Sequence, residues 1–252
     1  MPIMKYIPLP ASVYKQHRQR FIAQLKPNSI AVFNSNDIYP ISADSTLPFA
    51  QHRDIFYLTG IDQEETILVL YPDAKNPEQR EMVFVRGTNA HIAVWEGHKL
   101  TQNETTNVSG IETVVWTNAF EKTFLELTKQ ADHIYINTNE HYRAKVETQT
   151  REDRFIEWCK SQFPNHTYEK SNFILQGLRG VKDPEEIAHI QHACDITEKG
   201  FRRILSFVKP GVWEHEVEAE FAHEFLRNRS KGFAYTPIIA SGANSNVLHY
   251  IE

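Results

Sequence analysis

Leu178-Arg179-Gly180-Val181-Lys182-Asp183-Pro184-Glu185-Glu186-Ile187 opens the stretch that decides the fold, and Pro237-Ile238-Ile239-Ala240-Ser241-Gly242-Ala243-Asn244-Ser245-Asn246-Val247-Leu248-His249-Tyr250 closes it. Asp183 can cap a helix through its side-chain oxygen, Pro184 suits the first helical position, and Glu186 completes a capping box. Apolar or small residues then recur at Ile187, Ile190, Cys194, Thr197, Phe201, Ile204 and Val208, one face of an α-helix. Lys209-Pro210-Gly211 ends it. A second helix is expected from Val217, Phe221 and Phe225, with Gly232 as its stop. Residues 233–240 read as a strand, 242–246 as a turn, and Val247-Leu248-His249-Tyr250 as a returning strand.

Working outward, residues 12–25 read as a helix and Ile30-Ala31-Val32-Phe33 as a buried strand. Residues 34–52 read as a loop, and Ile55 to Thr59 as a helical turn or strand end stopped by Gly60. Residues 66–71 and 81–85 form an expected antiparallel pair. Val94-Trp95-Glu96-Gly97 reads as helix or turn, 114–116 as strand, 120–130 as helix, 133–137 as strand and 145–163 as helix. Such alternation argues an α/β domain over residues 1–170, with 164–171 as a linker to a second domain over 171–252. No internal repeat or low-complexity tract interrupts it.

The 252 residues suit one large domain or two smaller ones, and 41% hydrophobic with 23% charged residues is ordinary for a soluble globular protein. No apolar run approaches the roughly 18 residues that a membrane helix needs, and residues 1–10 lack the apolar core of a leader. Cys159 and Cys194 make no disulfide framework, so a reducing cytoplasm is the simplest expectation. A net charge of -5 without a basic block disfavours nucleic acid as a partner.

Twelve histidines invite a metal reading. The zincin pattern needs two histidines four apart with a glutamate after the first. His223-Glu224-Phe225-Leu226-Arg227 ends in Arg, and His215-Glu216-Val217-Glu218-Ala219 also fails. His189 and His192 lack an evident third ligand. Glu214, Glu216 and Glu218 are spaced by two, which spreads neighbours around a helix. No nucleophile elbow, dinucleotide fingerprint or phosphate loop occurs. His249 stands after a Gly/Asn/Ser turn, where it could donate a proton or hydrogen bond to a substrate oxygen, or be an ordinary half-buried strand histidine.

Two regions carry a resemblance. Phe49-Ala50-Gln51-His52-Arg53-Asp54-Ile55-Phe56-Tyr57-Leu58-Thr59-Gly60, followed by Glu64-Glu65-Thr66-Ile67-Leu68-Val69-Leu70, is similar to the N-terminal domain of the Xaa-Pro aminopeptidases. Residues 178–187 through Leu248-His249-Tyr250 resemble the opening of that family's catalytic domain. This is the creatinase/prolidase/methionine aminopeptidase superfamily. The resemblance implies a mixed-sheet α/β N-terminal domain of creatinase type, followed by an incomplete pita-bread α+β domain.

It further implies a metallopeptidase that removes the residue preceding proline, with two divalent metal ions, commonly manganese, bridging a hydroxide. His249 matches a catalytic-cleft histidine, with Tyr250 beside it at the substrate. Trp95 matches a tryptophan that reaches a neighbouring subunit's site in some members, though it also reads as a plain surface or core aromatic. A homodimer or homotetramer is implied. The family's ligands, two aspartates, a histidine and two glutamates, follow the Leu-His-Tyr motif, so no metal ligand is assigned in this chain. The chain is therefore expected to be a portion of a longer enzyme, inactive alone, with Phe201, Ile204, Phe221 and Phe225 facing water or another chain. A prolidase and a non-catalytic pita-bread homologue that binds peptide or protein are the rival expectations.

Overall fold

The structure is a computed structural model that describes residues 8–141 and 147–251. Residues 1–7, where no leader was read, and 145–146, read as the start of a helix, lie outside them. Among the described residues the chain divides into two compact units, one over residues 9–181 and one that holds residues 182–251.

In the first unit the elements run α1 (Ala11–Ile22), β1 (Ser29–Asn34), β2 (Pro40–Ser42), β3 (Ser45–Thr46), α2 (Arg53–Thr59), β4 (Ile67–Leu70), β5 (Glu81–Val85) and α3 (Ala90–Glu96). They continue with α4 (Gln102–Ser109), β6 (Thr113–Trp116), α5 (Phe120–Thr128), β7 (His133–Ile136), α6 (Arg151–Gln162), β8 (Thr167–Lys170) and α7 (Asn172–Gly180). Six strands form one mixed sheet in the order β6-β5-β4-β1-β7-β8. β1 runs antiparallel to β4, with Val32 opposite Val69, and parallel to β7, with Ile30 opposite Ile134. The expected antiparallel pair is β4 and β5, with Leu68 opposite Val83.

All six residues of β1 are buried, because helices cover both faces of the sheet and neither set of alternate side chains reaches water. On one face Ile30, Val32, Val69 and Phe84 pack with Phe120, Phe124, Ile156 and Cys159 from α5 and α6. On the other, Ala31, Phe33, Leu68 and Val83 pack with Phe21, Ile55, Leu58 and Leu175. Arg18, on α1, is fully buried; its Nη1 donates to the carbonyls of Leu58 (2.8 Å) and Ser109 (3.0 Å), and its Nε to Glu81 (2.9 Å). Both carbonyls lie in the last turn of a helix, where the dipole favours a cation.

Three expectations need correction here. Residues 164–171, read as a linker, carry β8, an edge strand whose Thr-Tyr-Glu-Lys side chains are half wet and so look like a connection. Residues 34–52 contain the β2–β3 hairpin rather than a plain loop. α6 begins only at Arg151, where Thr150 and Asp153 form a capping box.

The second unit holds α8 (Pro184–Phe207) and α9 (Glu214–Arg227). Glu186 reaches back to accept from the Asp183 backbone N–H at 2.9 Å, the cap expected from sequence. Gly200 is where the two helices meet; a Cβ there would lie 2.8 Å from the Phe221 ring. The Phe221 ring meets Phe201 edge-on at 5.0 Å between centroids, and Phe225 packs on Phe233 at 5.1 Å. The buried residues of α8 are Ile196 and Gly200, whereas Ile187, Ile190, Phe201 and Val208 of the apolar stripe read from the spacing are exposed. As expected Phe201 meets water, whereas Ile204, Phe221 and Phe225 are partly buried.

Candidate functional site

The strands expected at residues 233–240 and 247–250 are not formed, because no partner ladder stands beside them among the described residues. Residues 241–250 instead wrap through a 3₁₀ turn at Gly242–Asn246 into a tight turn at Leu248 and His249.

That segment is organised by Glu214, which sequence reasoning passed over. Glu214 is the first residue of α9, whose N-terminus favours a carboxylate, and a backbone bond from Trp213 to the Glu216 side chain (2.8 Å) fixes the helix start. One oxygen of Glu214 accepts from the Ser241 backbone N–H (2.5 Å) and hydroxyl (2.9 Å). The other accepts from the Tyr250 hydroxyl at 2.9 Å. Asn244 Nδ2 reaches both oxygens at 3.3 Å and donates to the Tyr250 oxygen at 2.9 Å. The hydroxyl and backbone of Ser241, then Tyr250 and Asn244, hold the Glu214 carboxyl below the ordinary carboxylate range despite some desolvation. No sequence signal flags this, since the partners lie 27 to 36 residues away.

Glu214, His215, Glu218, Thr236, Pro237 and Tyr250 are among the residues lining a cavity of about 170 Å³. Glu214 and Glu218 share it because the outer pair of the acidic triplet is four apart, one helical turn, although neighbours in it are not. His249 is exposed and holds a left-handed backbone, φ 62°. Tyr250 is partly buried in the network. The structure thus sets His249 and Tyr250 at one turn.

Trp95 belongs to the first unit. It lies on α3, capped by Asn89 accepting from Ile92 N–H at 3.0 Å, and is 77% exposed beside exposed Val94. Arg86 pins the end of α3 through Glu96 (2.5 Å) and lies 3.5 Å from Glu64, which also pairs with Lys99.

Neither unit by itself brings three metal-ligating side chains together among the described residues. The carboxylate of Glu214 is already occupied by protein donors on both oxygens. These residues do not fit a dinuclear metal centre.

The first unit is a mixed-sheet α/β domain, and the second carries a helix pair and a histidine turn; comparison shows what each is similar to. Residues 14–135 match the family described as aminopeptidase P, N-terminal domain, and residues 188–252 match metallopeptidase family M24. The Xaa-Pro aminopeptidase of Escherichia coli K12 is 26% identical over 240 residues, covering 95% of this chain and 54% of the relative. The Xaa-Pro aminopeptidase of Haemophilus influenzae is 24% identical, covering 97% and 54%. Aminopeptidase P from E. coli in its low pH form superposes with a TM-score of 0.85 at 25% identity, over 98% of this chain and 56% of that one. The chain spans about half the length of the curated relatives it matches. Residues 14–135 are thus similar to an aminopeptidase P N-terminal domain, and residues 188–252 to metallopeptidase family M24.

Among the described residues no helix is long and apolar enough to cross a membrane.

Proposed function

We propose that the complete protein to which this chain belongs is a Xaa-Pro aminopeptidase, releasing the N-terminal residue of peptides with proline in second position. The observation that carries this reading is the Ser241-to-Tyr250 turn, presenting His249 at the end of an M24-type stretch that follows an aminopeptidase P N-terminal domain. In this reading His249 donates a hydrogen bond to the substrate carbonyl oxygen or the tetrahedral intermediate, and Tyr250 lines the substrate path.

The metal ions that the family name implies, two divalent ions and manganese by our reading, belong to the complete protein. The described residues of this chain contribute His249 and Tyr250 rather than ligands, and this chain by itself is read as inactive. The domain division proposed is an N-terminal domain over residues 1–170 and the metallopeptidase part over 171–252, with α7 packing in the first compact unit. A cytoplasmic homodimer or homotetramer is proposed, with Trp95 entering a neighbouring subunit's site; the 77% exposure of Trp95 supports it. No nucleic-acid or membrane partner is proposed. Cleavage of a Xaa-Pro-Xaa peptide, compared with its Xaa-Ala-Xaa counterpart and with Xaa-Pro dipeptide, tests the reading and separates it from a prolidase.

A further inference from the structure

Both ends of the segment that carries His249 converge on one side chain. Ser241, the first residue of the turn, uses its backbone N–H and its hydroxyl on Glu214 Oε1. Tyr250, the residue after His249, uses its hydroxyl on Glu214 Oε2. Asn244, from the middle of the turn, spans both oxygens and bonds to Tyr250 as well. The directions of these bonds are fixed by chemistry. A carboxylate only accepts, so Asn244 must present its NH₂. With the Tyr250 oxygen accepting from Asn244, the single Tyr250 proton points to Glu214.

His249 needs such an anchor. Its φ of 62° lies in the left-handed region, which a side chain with a Cβ adopts at a cost and keeps only where its surroundings impose it. Neighbouring Val247 and Leu248 are exposed, so hydrophobic burial does not impose it. Next to His249 in the chain, Tyr250 is tied to Glu214 through its hydroxyl.

We infer that Glu214 is a positioning residue for His249: its carboxylate clamps Ser241 and Tyr250 and so sets the backbone from which the imidazole is presented to substrate. The inference rests on the reading of His249 as an active-site group. Glu214 itself is given no contact with substrate or metal.

The test uses the full-length protein with Glu214→Gln, Tyr250→Phe and His249→Ala. Gln puts an NH₂ where Oε2 accepts, opposite the Tyr250 hydroxyl and the Asn244 amide. Kinetics on a Xaa-Pro-Xaa peptide are measured together with imidazole NMR of His249 and amide hydrogen exchange at residues 247–250. For Glu214→Gln a fall in kcat of tenfold or more is expected, with KM within about twofold. The His249 imidazole signals should shift or broaden, and exchange at 247–250 should speed at least tenfold, while the ring signals of Phe221 and Phe225 stay in place. Tyr250→Phe should give a smaller change of the same kind, and it carries the test if Glu214→Gln does not fold. Unchanged His249 signals and exchange in a folded Glu214→Gln protein, or a lower melting temperature alone, overturn the inference. Full activity in His249→Ala overturns the functional reading instead; the NMR and exchange results still decide whether Glu214 sets the turn.

Discussion

Arg179 Nη1 donates to Asp54 Oδ1 at 2.8 Å, joining the two separate stretches of sequence that bear the family resemblance. Asp54 sits in α2 and Arg179 in α7, 125 residues apart. The other Asp54 oxygen accepts from Asn137 Nδ2 at 3.0 Å, at the end of β7. One carboxylate thus ties two helices to a parallel strand. Asp54 is 8% exposed, so replacing it with Ala takes from the buried Asn137 amide the acceptor it has here. A loss of about 2 kcal/mol in unfolding free energy is expected from urea denaturation, against little change for the exposed Asp44→Ala.

Glu152 gives the first unit a pH dependence. Burial pushes its carboxyl up to about 7, against the hydrogen bonds it accepts from Asn34 N–H (2.9 Å) and Asn34 Nδ2 (3.1 Å). The residue is partly buried along its length, with its carboxyl end enclosed. Its folded value is above its unfolded one, so the folded state holds the proton more tightly. The contribution is present at acid pH and is lost as pH rises from the unfolded carboxyl value through about 7. Stability should fall by on the order of 3 kcal/mol across that window, and Glu152→Gln should flatten the decline. Urea midpoints of both proteins between pH 5 and 8 check the sign; a rise with pH that the substitution removes would oppose it.

Gly60 closes α2 with φ 70°, and a Cβ there would lie 2.3 Å from Tyr14 Cε2. Tyr14 is 2% exposed and has little room to yield. Gly60→Ala combines a left-handed penalty with overpacking and should cost about 3 kcal/mol. Gly87→Ala, which meets open space, serves as the control in the same thermal melts.

Trp95 is expected to matter only in an assembly. In the full-length protein Trp95→Ala should lower kcat/KM tenfold or more without lowering the melting temperature, because the exposed side chain packs on little of its own unit. Light scattering that shows a monomer across the assay range, with the same kinetic loss, would remove the neighbouring-subunit role.

Much of the sheet was legible because both of its faces are dry. β1, β4 and β5 read as continuous apolar runs, and Gly60 marked the end of α2 as expected. β8 hid behind its polarity: an edge strand wet on one side has no run of apolar residues to show. Residues 233–250 failed for a different reason. Their β-branched pattern favours strands, but a strand exists only with a partner, and pattern alone cannot supply one. The meeting of α8 with α9 at Gly200 left no trace in the apolar spacing, because a glycine carries no hydrophobic signal. His249 was singled out from its context after a Gly/Asn/Ser turn. The group that holds its turn, Glu214, was not, because a hydrogen-bond network across 36 residues leaves no spacing to read.

The most direct test of the account is a peptide digest. The product of the complete reading frame, supplied with manganese, is incubated with a Xaa-Pro-Xaa peptide and its Xaa-Ala-Xaa counterpart, and the products are resolved by mass spectrometry. The account predicts release of the N-terminal residue from the proline peptide alone. An intact proline peptide, or equal cleavage of both, would contradict it.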